Sequence, residues 1–172
     1  ERNYTNLKHK IYVDTGPVLE RAYAVEAGLG WLGKNNMLIV EDIGSYCFLG
    51  VLLLNKKMDQ YGSPLENKCG DCTLCLENCP TGALEKEYLH NSNKCISYLT
   101  IEKKGGFTPE ENSKIDNCLY GCDRCLDVCP WNKKWAEKTE DIRYYTKKDF
   151  LRKTVQEWEN LSKPTMTNNF KK

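Results

Sequence analysis

Histidine is almost missing from this chain. Only His9 and His90 occur in 172 residues, which excludes histidine-rich metal sites and leaves no Ser-His-Asp order for acyl transfer. No Walker A sequence is present, so phosphate-loop chemistry is out. Gly28-x-Gly30-x-x-Gly33 has dinucleotide-binding spacing but follows a helical pattern instead of a strand, and that context removes its meaning. Long apolar runs are missing as well. The longest, Phe48 to Leu54, is the length of a strand, far short of the roughly 20 residues that span a bilayer. No secretory or twin-arginine leader is visible, and the chain begins at Glu1 without methionine, which leaves room for a leader or further domain ahead of it. Excess charge of either sign is lacking too. The net charge of +1 makes no case for nucleic acid by itself. Eleven Lys/Arg against six Asp/Glu put residues 133–172 at +5 and the remainder at −4, a pattern that reads first as a solvated surface.

Cysteine is what the chain has. All ten but Cys47 fall between residues 69 and 129. Cys69, Cys72, Cys75 and Cys79-Pro80 form C-x2-C-x2-C-x3-C-P, and Cys122, Cys125 and Cys129-Pro130 repeat its second part. This is the spacing by which ferredoxin-type domains hold 4Fe-4S clusters, with the last cysteine of each run serving the other cluster. Short spacers wrap three thiolates around one face, and the proline turns the fourth toward the neighbouring cluster. Cys69, Cys72, Cys75 and Cys129 are therefore expected on one cluster. Cys79, Cys122 and Cys125 take the other, which lacks a thiolate. Cys95 and Cys118 are the candidates, and spacing favours Cys95, since Cys118 offers C-x3-C where C-x2-C is expected. Cys118 then reads as a semi-buried thiol and Cys47 as a core residue. A disulfide scaffold does not explain cysteines interleaved with proline at cluster spacing. Zinc knuckles use two thiolates each, and Cys69-Cys72-Cys75 is one too many.

Three regions separate along the chain, at 1–60, 61–135 and 136–172, and 172 residues could make one domain or two small ones. The first reads as α/β. Lys10 to Val13 is a strand candidate, Gly16-Pro17 should open a helix carrying Val18, Ala22 and Val25, and Gly28 should end it. Gly28 to Asn36 reads as a glycine-spaced loop. Met37–Val40 and Tyr46–Leu54 read as strands joined through 41–45 as a hairpin. In the second region short helices are wrapped by cysteine loops, and Thr108-Pro109-Glu110-Glu111 has capping-box form. In the third, Leu151, Val155 and Trp158 mark a helix from about Lys147 to Asn160. The fold class is α+β: a small α/β region, a ferredoxin-like two-cluster domain and a short helical segment.

A two-cluster module by itself only conducts electrons. The chain resembles the epoxyqueuosine reductases in Val13-Asp14-Thr15-Gly16-Pro17-Val18-Leu19-Glu20-Arg21, Gly28-Leu29-Gly30-Trp31-Leu32-Gly33-Lys34 and Gly44-Ser45-Tyr46-Cys47-Phe48-Leu49-Gly50. Cys95-Ile96-Ser97-Tyr98-Leu99-Thr100-Ile101-Glu102, Tyr120-Gly121-Cys122-Asp123 and Cys129-Pro130-Trp131-Asn132 match as well. The likeness runs through roughly residues 10–135, in a family whose members are about twice as long and whose N-terminal part helps hold cobalamin. It implies a cytoplasmic, monomeric oxidoreductase of queuosine biosynthesis. Two 4Fe-4S clusters, fed by a flavodoxin- or ferredoxin-type donor, would reduce cobalamin for attack on an epoxide in tRNA. It implies Asp14 as the acid for the opened oxyanion, with a pKa raised by burial, and Asp14, Lys34, Leu38, Ser97 and Gly121 as cobalamin-binding residues. Read without the resemblance, Asp14 is a turn or capping carboxylate and Lys34 a solvated loop lysine. Two other functions compete: a corrinoid reductive dehalogenase, which would carry a twin-arginine leader and a tyrosine acid, and a plain electron-transfer ferredoxin module.

Overall fold

The strand read near residue 10 forms as β1 (His9–Tyr12), antiparallel to β4 (Val51–Leu54), with His9 opposite Leu54 and Tyr12 opposite Val51. The computed structural model describes residues 6–138 except Asn117, together with Glu140, Thr154, Gln156 and Glu157. Glu1–Ala136 make one compact unit and Glu137–Lys172 a second. The helix read over 147–160, with Leu151, Val155 and Trp158, lies outside the described residues apart from three positions.

Helix α1 (Glu20–Glu26) starts later than Pro17, with Leu19 at its N-cap and no side-chain cap. Residues 14–18 are spent on a turn instead. Asp14 is left-handed at φ 62°, the Thr15 N–H donates to the Val13 carbonyl at 2.7 Å, and a Cβ on Gly16 would lie 2.3 Å from the Tyr12 ring. Gly28 ends the helix as expected. At φ 72° it donates to Val25, while Leu29 donates to Ala24, the paired bonds of a Schellman terminus.

The expected hairpin of 37–40 with 46–54 is corrected. Its turn forms, through a bridge between Val40 and Gly44, but the strands pair elsewhere. β3 (Leu38–Ile39) pairs with β2 (Trp31–Leu32) inside the glycine loop, and β4 pairs with β1. Glycine causes the exchange: a Cβ on Gly30 would sit 2.2 Å from the Ile39 carbonyl oxygen, so only a bare backbone permits this approach.

The cysteine region carries α2 (Leu74–Glu77), a hairpin of β5 (Leu84–Lys86) with β6 (Leu89–His90), a 3₁₀ turn over Ser92–Lys94, α3 (Ile96–Ile101), α4 (Pro109–Ile115), α5 (Arg124–Asp127) and α6 (Pro130–Trp135). The capping box starts α4 as read: Thr108 Oγ1 accepts from the Glu111 N–H, and Glu111 Oε2 accepts from the Thr108 N–H at 2.7 Å. Among the described residues no helix is long and apolar enough to cross a membrane.

Cysteine and aromatic side chains make the core. Trp31, Ile39 and Cys129 are buried together, with Cys69, Trp131 and Trp135 against them, and the three indoles pack edge-on and stacked at 4.9–6.0 Å between centroids. A second group joins Ile96, Leu99 and Ile115 with Cys118 and Cys122. Cys47, read as core, is only half-buried. The buried Asn132 ties α6 to the turn after β3, accepting from the Ser45 N–H at 2.7 Å and donating to the Leu126 carbonyl at 3.0 Å. Asn132→Ala strands both partners and should lower the unfolding free energy by about 1–3 kcal/mol in anaerobic denaturant titrations. A change well below that would mean water replaces the amide.

Candidate iron–sulfur centre

Each cysteine run folds by the same local rule. The Cys72 N–H donates to the Cys69 carbonyl at 3.2 Å, a turn made possible by Gly70 at φ 51°, and one turn of helix then carries Cys75 in α2. Downstream, α5 carries Cys125 in the same way, and Cys129 is the N-cap of α6, with Pro130 at its first position. Cys95 is the N-cap of α3.

These elements sort eight cysteines into two cavities. Cys69, Cys72, Cys75 and Cys129 line one of about 40 Å³, closed by Ile39, Leu74 and Trp131. Cys79, Cys95, Cys122 and Cys125 line the other, of about 250 Å³. Cys118 lines neither and packs beside Ile115. Among the described residues no three Cys, His, Asp or Glu side chains converge tightly enough for one metal ion.

The donor chemistry agrees. Burial pushes the Cys125 thiol up to about 12, with the neighbouring cysteines adding to it, and burial raises Cys75 and Cys122 as well. Thiols crowded in apolar surroundings keep their protons unless bound metal supplies positive charge. Cys79 differs. Burial opposes its ionisation, but backbone N–H groups and the Thr81 hydroxyl hold its pKa below the ordinary value, and the Ala83 N–H reaches its Sγ at 3.2 Å.

The other candidate residues are distributed. Asp14 is exposed in the loop between β1 and α1. Leu38 is buried in β3, and Ser97 lines the second cavity. The Thr100 hydroxyl ties Gly121 to the first turn of α3, accepting from the Gly121 N–H at 2.9 Å and donating to the Ile96 carbonyl at 2.8 Å, with the Ser97 carbonyl at 3.3 Å. Lys34 lines the first cavity, buried and paired with Glu87 at 2.7 Å, and the Glu87 carboxylate holds its pKa above the usual lysine value. Neither cavity gathers all five. Asn35, missed in the sequence, lines both cavities and donates to the Cys125 carbonyl at 3.3 Å. Arg21, also missed, lines the second cavity and donates to the Asn36 carbonyl. Arg21 ends the Val13–Arg21 segment and Asn35 follows Lys34, but nothing in their spacing marks them.

An α+β chain whose cysteines sort this way is an iron–sulfur protein of ferredoxin type. Residues 68–132 match the family described as a 4Fe-4S double cluster binding domain. The epoxyqueuosine reductase of Synechocystis sp. is 45% identical over 141 residues, which are 81% of this chain and 48% of that protein. An epoxyqueuosine reductase solved with an epoxyqueuosine-modified tRNA-Tyr stem loop superposes with a TM-score of 0.74 at 41% identity, over 78% of this chain and 36% of that one. Another, from Bacillus subtilis, was solved with its aspartate catalytic loop swung out of the active site. It superposes at 0.71 with 40% identity, over 77% and 34% of the two chains. The chain is similar to epoxyqueuosine reductases over most of its own length and spans about half the length of the curated relatives it matches.

Proposed function

We propose that the protein bearing this chain reduces epoxyqueuosine to queuosine in tRNA, using electrons that pass through two 4Fe-4S clusters. The sorting of eight cysteines into two four-cysteine cavities carries this reading, in a chain 41% identical to a reductase solved with its modified tRNA stem loop. Cys69, Cys72, Cys75 and Cys129 would hold one cluster, and Cys79, Cys95, Cys122 and Cys125 the other. One chain supplies both ligand sets, so a second copy is not needed.

Opening an epoxide to an alkene and water consumes two electrons and two protons. An external donor of flavodoxin or ferredoxin type would supply the electrons singly. Asn35, on both cavity walls, is the side chain that lies between the two ligand sets. Cobalamin, when bound, supplies the low-valent cobalt nucleophile that such a reaction uses at the epoxide carbon. The described cavities do not gather the residues that the resemblance assigns to the corrin. Beyond the cluster ligands, this chain would contribute a proton. Asp14 sits on an exposed turn between two elements, as an acid on a moving loop would, and the B. subtilis relative has an aspartate loop that swings.

The direct test uses the protein bearing this chain with epoxyqueuosine-containing tRNA, cobalamin and a low-potential reductant, followed by nucleoside mass spectrometry. Queuosine should accumulate. Electron transfer to an acceptor with no queuosine formed would leave the plain ferredoxin module as the better reading.

A further inference from the structure

We propose that Lys34 is the charge that sets the potential of the cluster held by Cys69, Cys72, Cys75 and Cys129, with Glu87 opposing it. The inference rests on the cluster reading above. Among the described residues, Lys34 is the one charged side chain on the lining of the first cavity. The second is lined by Arg21, His90, Asp123 and Arg124, of mixed sign. The Lys34 side chain is 7% exposed, whereas that of its partner Glu87 is 47% exposed. The tip of the β5–β6 hairpin fixes the lysine twice. Glu87 takes its ammonium at 2.7 Å, and the Tyr88 N–H donates to its backbone carbonyl at 3.1 Å, from a left-handed residue at φ 60°. A lysine this buried and this firmly held is unlike the solvated loop residue that its sequence position suggests.

The physical consequence is directional. A cubane with four thiolate ligands is anionic and gains a further negative charge on reduction. A fixed ammonium in a poorly solvated site favours the more negative state and raises the potential. Glu87 works the other way, but water screens a half-exposed carboxylate more than a buried ammonium. The balance therefore favours the lysine. The other cluster keeps its own lining and should not follow.

The test is a dithionite titration of the reconstituted holoprotein, followed by electron paramagnetic resonance, after iron analysis has shown both clusters loaded. A Cys95→Ala background, which removes the second cluster, identifies the signal of the first. Lys34→Gln should move the midpoint of the first cluster to more negative potential and leave the second in place, and Lys34→Arg should restore it. Glu87→Gln should move the same cluster the opposite way, which keeps a result in hand if Lys34→Gln folds poorly. A merely structural lysine would change the thermal midpoint and not the potential. Loaded clusters with unmoved midpoints in Lys34→Gln or Glu87→Gln overturn the proposal, as does a shift confined to the second cluster. A chain that takes up no iron overturns the cluster reading, and this inference with it.

Discussion

On the proposed function, Asp14→Asn in the protein bearing this chain is expected to cut turnover of epoxyqueuosine-containing tRNA by roughly 10²–10⁴-fold, the usual contribution of a general acid. Asparagine keeps the size and most hydrogen bonds but has no proton to give the oxyanion. It also tolerates the left-handed backbone found at this position, φ 62°, about as well as aspartate does. Loop geometry should therefore survive, as should the iron–sulfur absorption, because Asp14 lines neither cysteine cavity. A turn or capping role predicts the reverse, since asparagine serves turns and caps as well as aspartate. Near-normal turnover in Asp14→Asn would return this residue to a structural part.

The second large effect concerns the eighth thiolate. Cys95→Ala should remove the cluster of the second cavity and halve the iron, from about eight to about four per chain by ligand count. Cys118→Ala should leave the iron unchanged and cost only packing. Cys118 lies against Ile96, Leu99 and Ile115, whereas Cys95 stands on the cavity wall with Cys79, Cys122 and Cys125. Loss of iron in Cys118→Ala with retention in Cys95→Ala would reverse the assignment.

Legibility followed the range of the interactions. Cluster-ligand spacing is local, so both cysteine runs could be read directly, and so could the Thr108 capping box and the Gly28 helix terminus. Strand pairing is not local. The sequence reads Met37–Val40 and Tyr46–Leu54 as partners across a proper turn, yet a close approach allowed by Gly30 gives β3 to β2, and β4 finds β1 far earlier in the chain. The β5–β6 hairpin escaped because its tip, Glu87-Tyr88, holds a tyrosine where glycine or asparagine would signal a left-handed turn. That omission hid Lys34 as well. Its partner sits on the unforeseen hairpin, and without Glu87 a lysine there reads as solvated. The start of α1 was misplaced because Pro17 suits a first helical turn and an extended connection equally.

On the proposed function, the described unit is built around two cubane clusters, four cysteines to each. Anaerobic reconstitution followed by iron, acid-labile sulfide and Mössbauer analysis tests it most directly. The ligand geometry predicts about eight iron and eight sulfide per chain, all in 4Fe-4S environments. Four iron per chain, or zinc retained in place of iron with no sulfide, would contradict it.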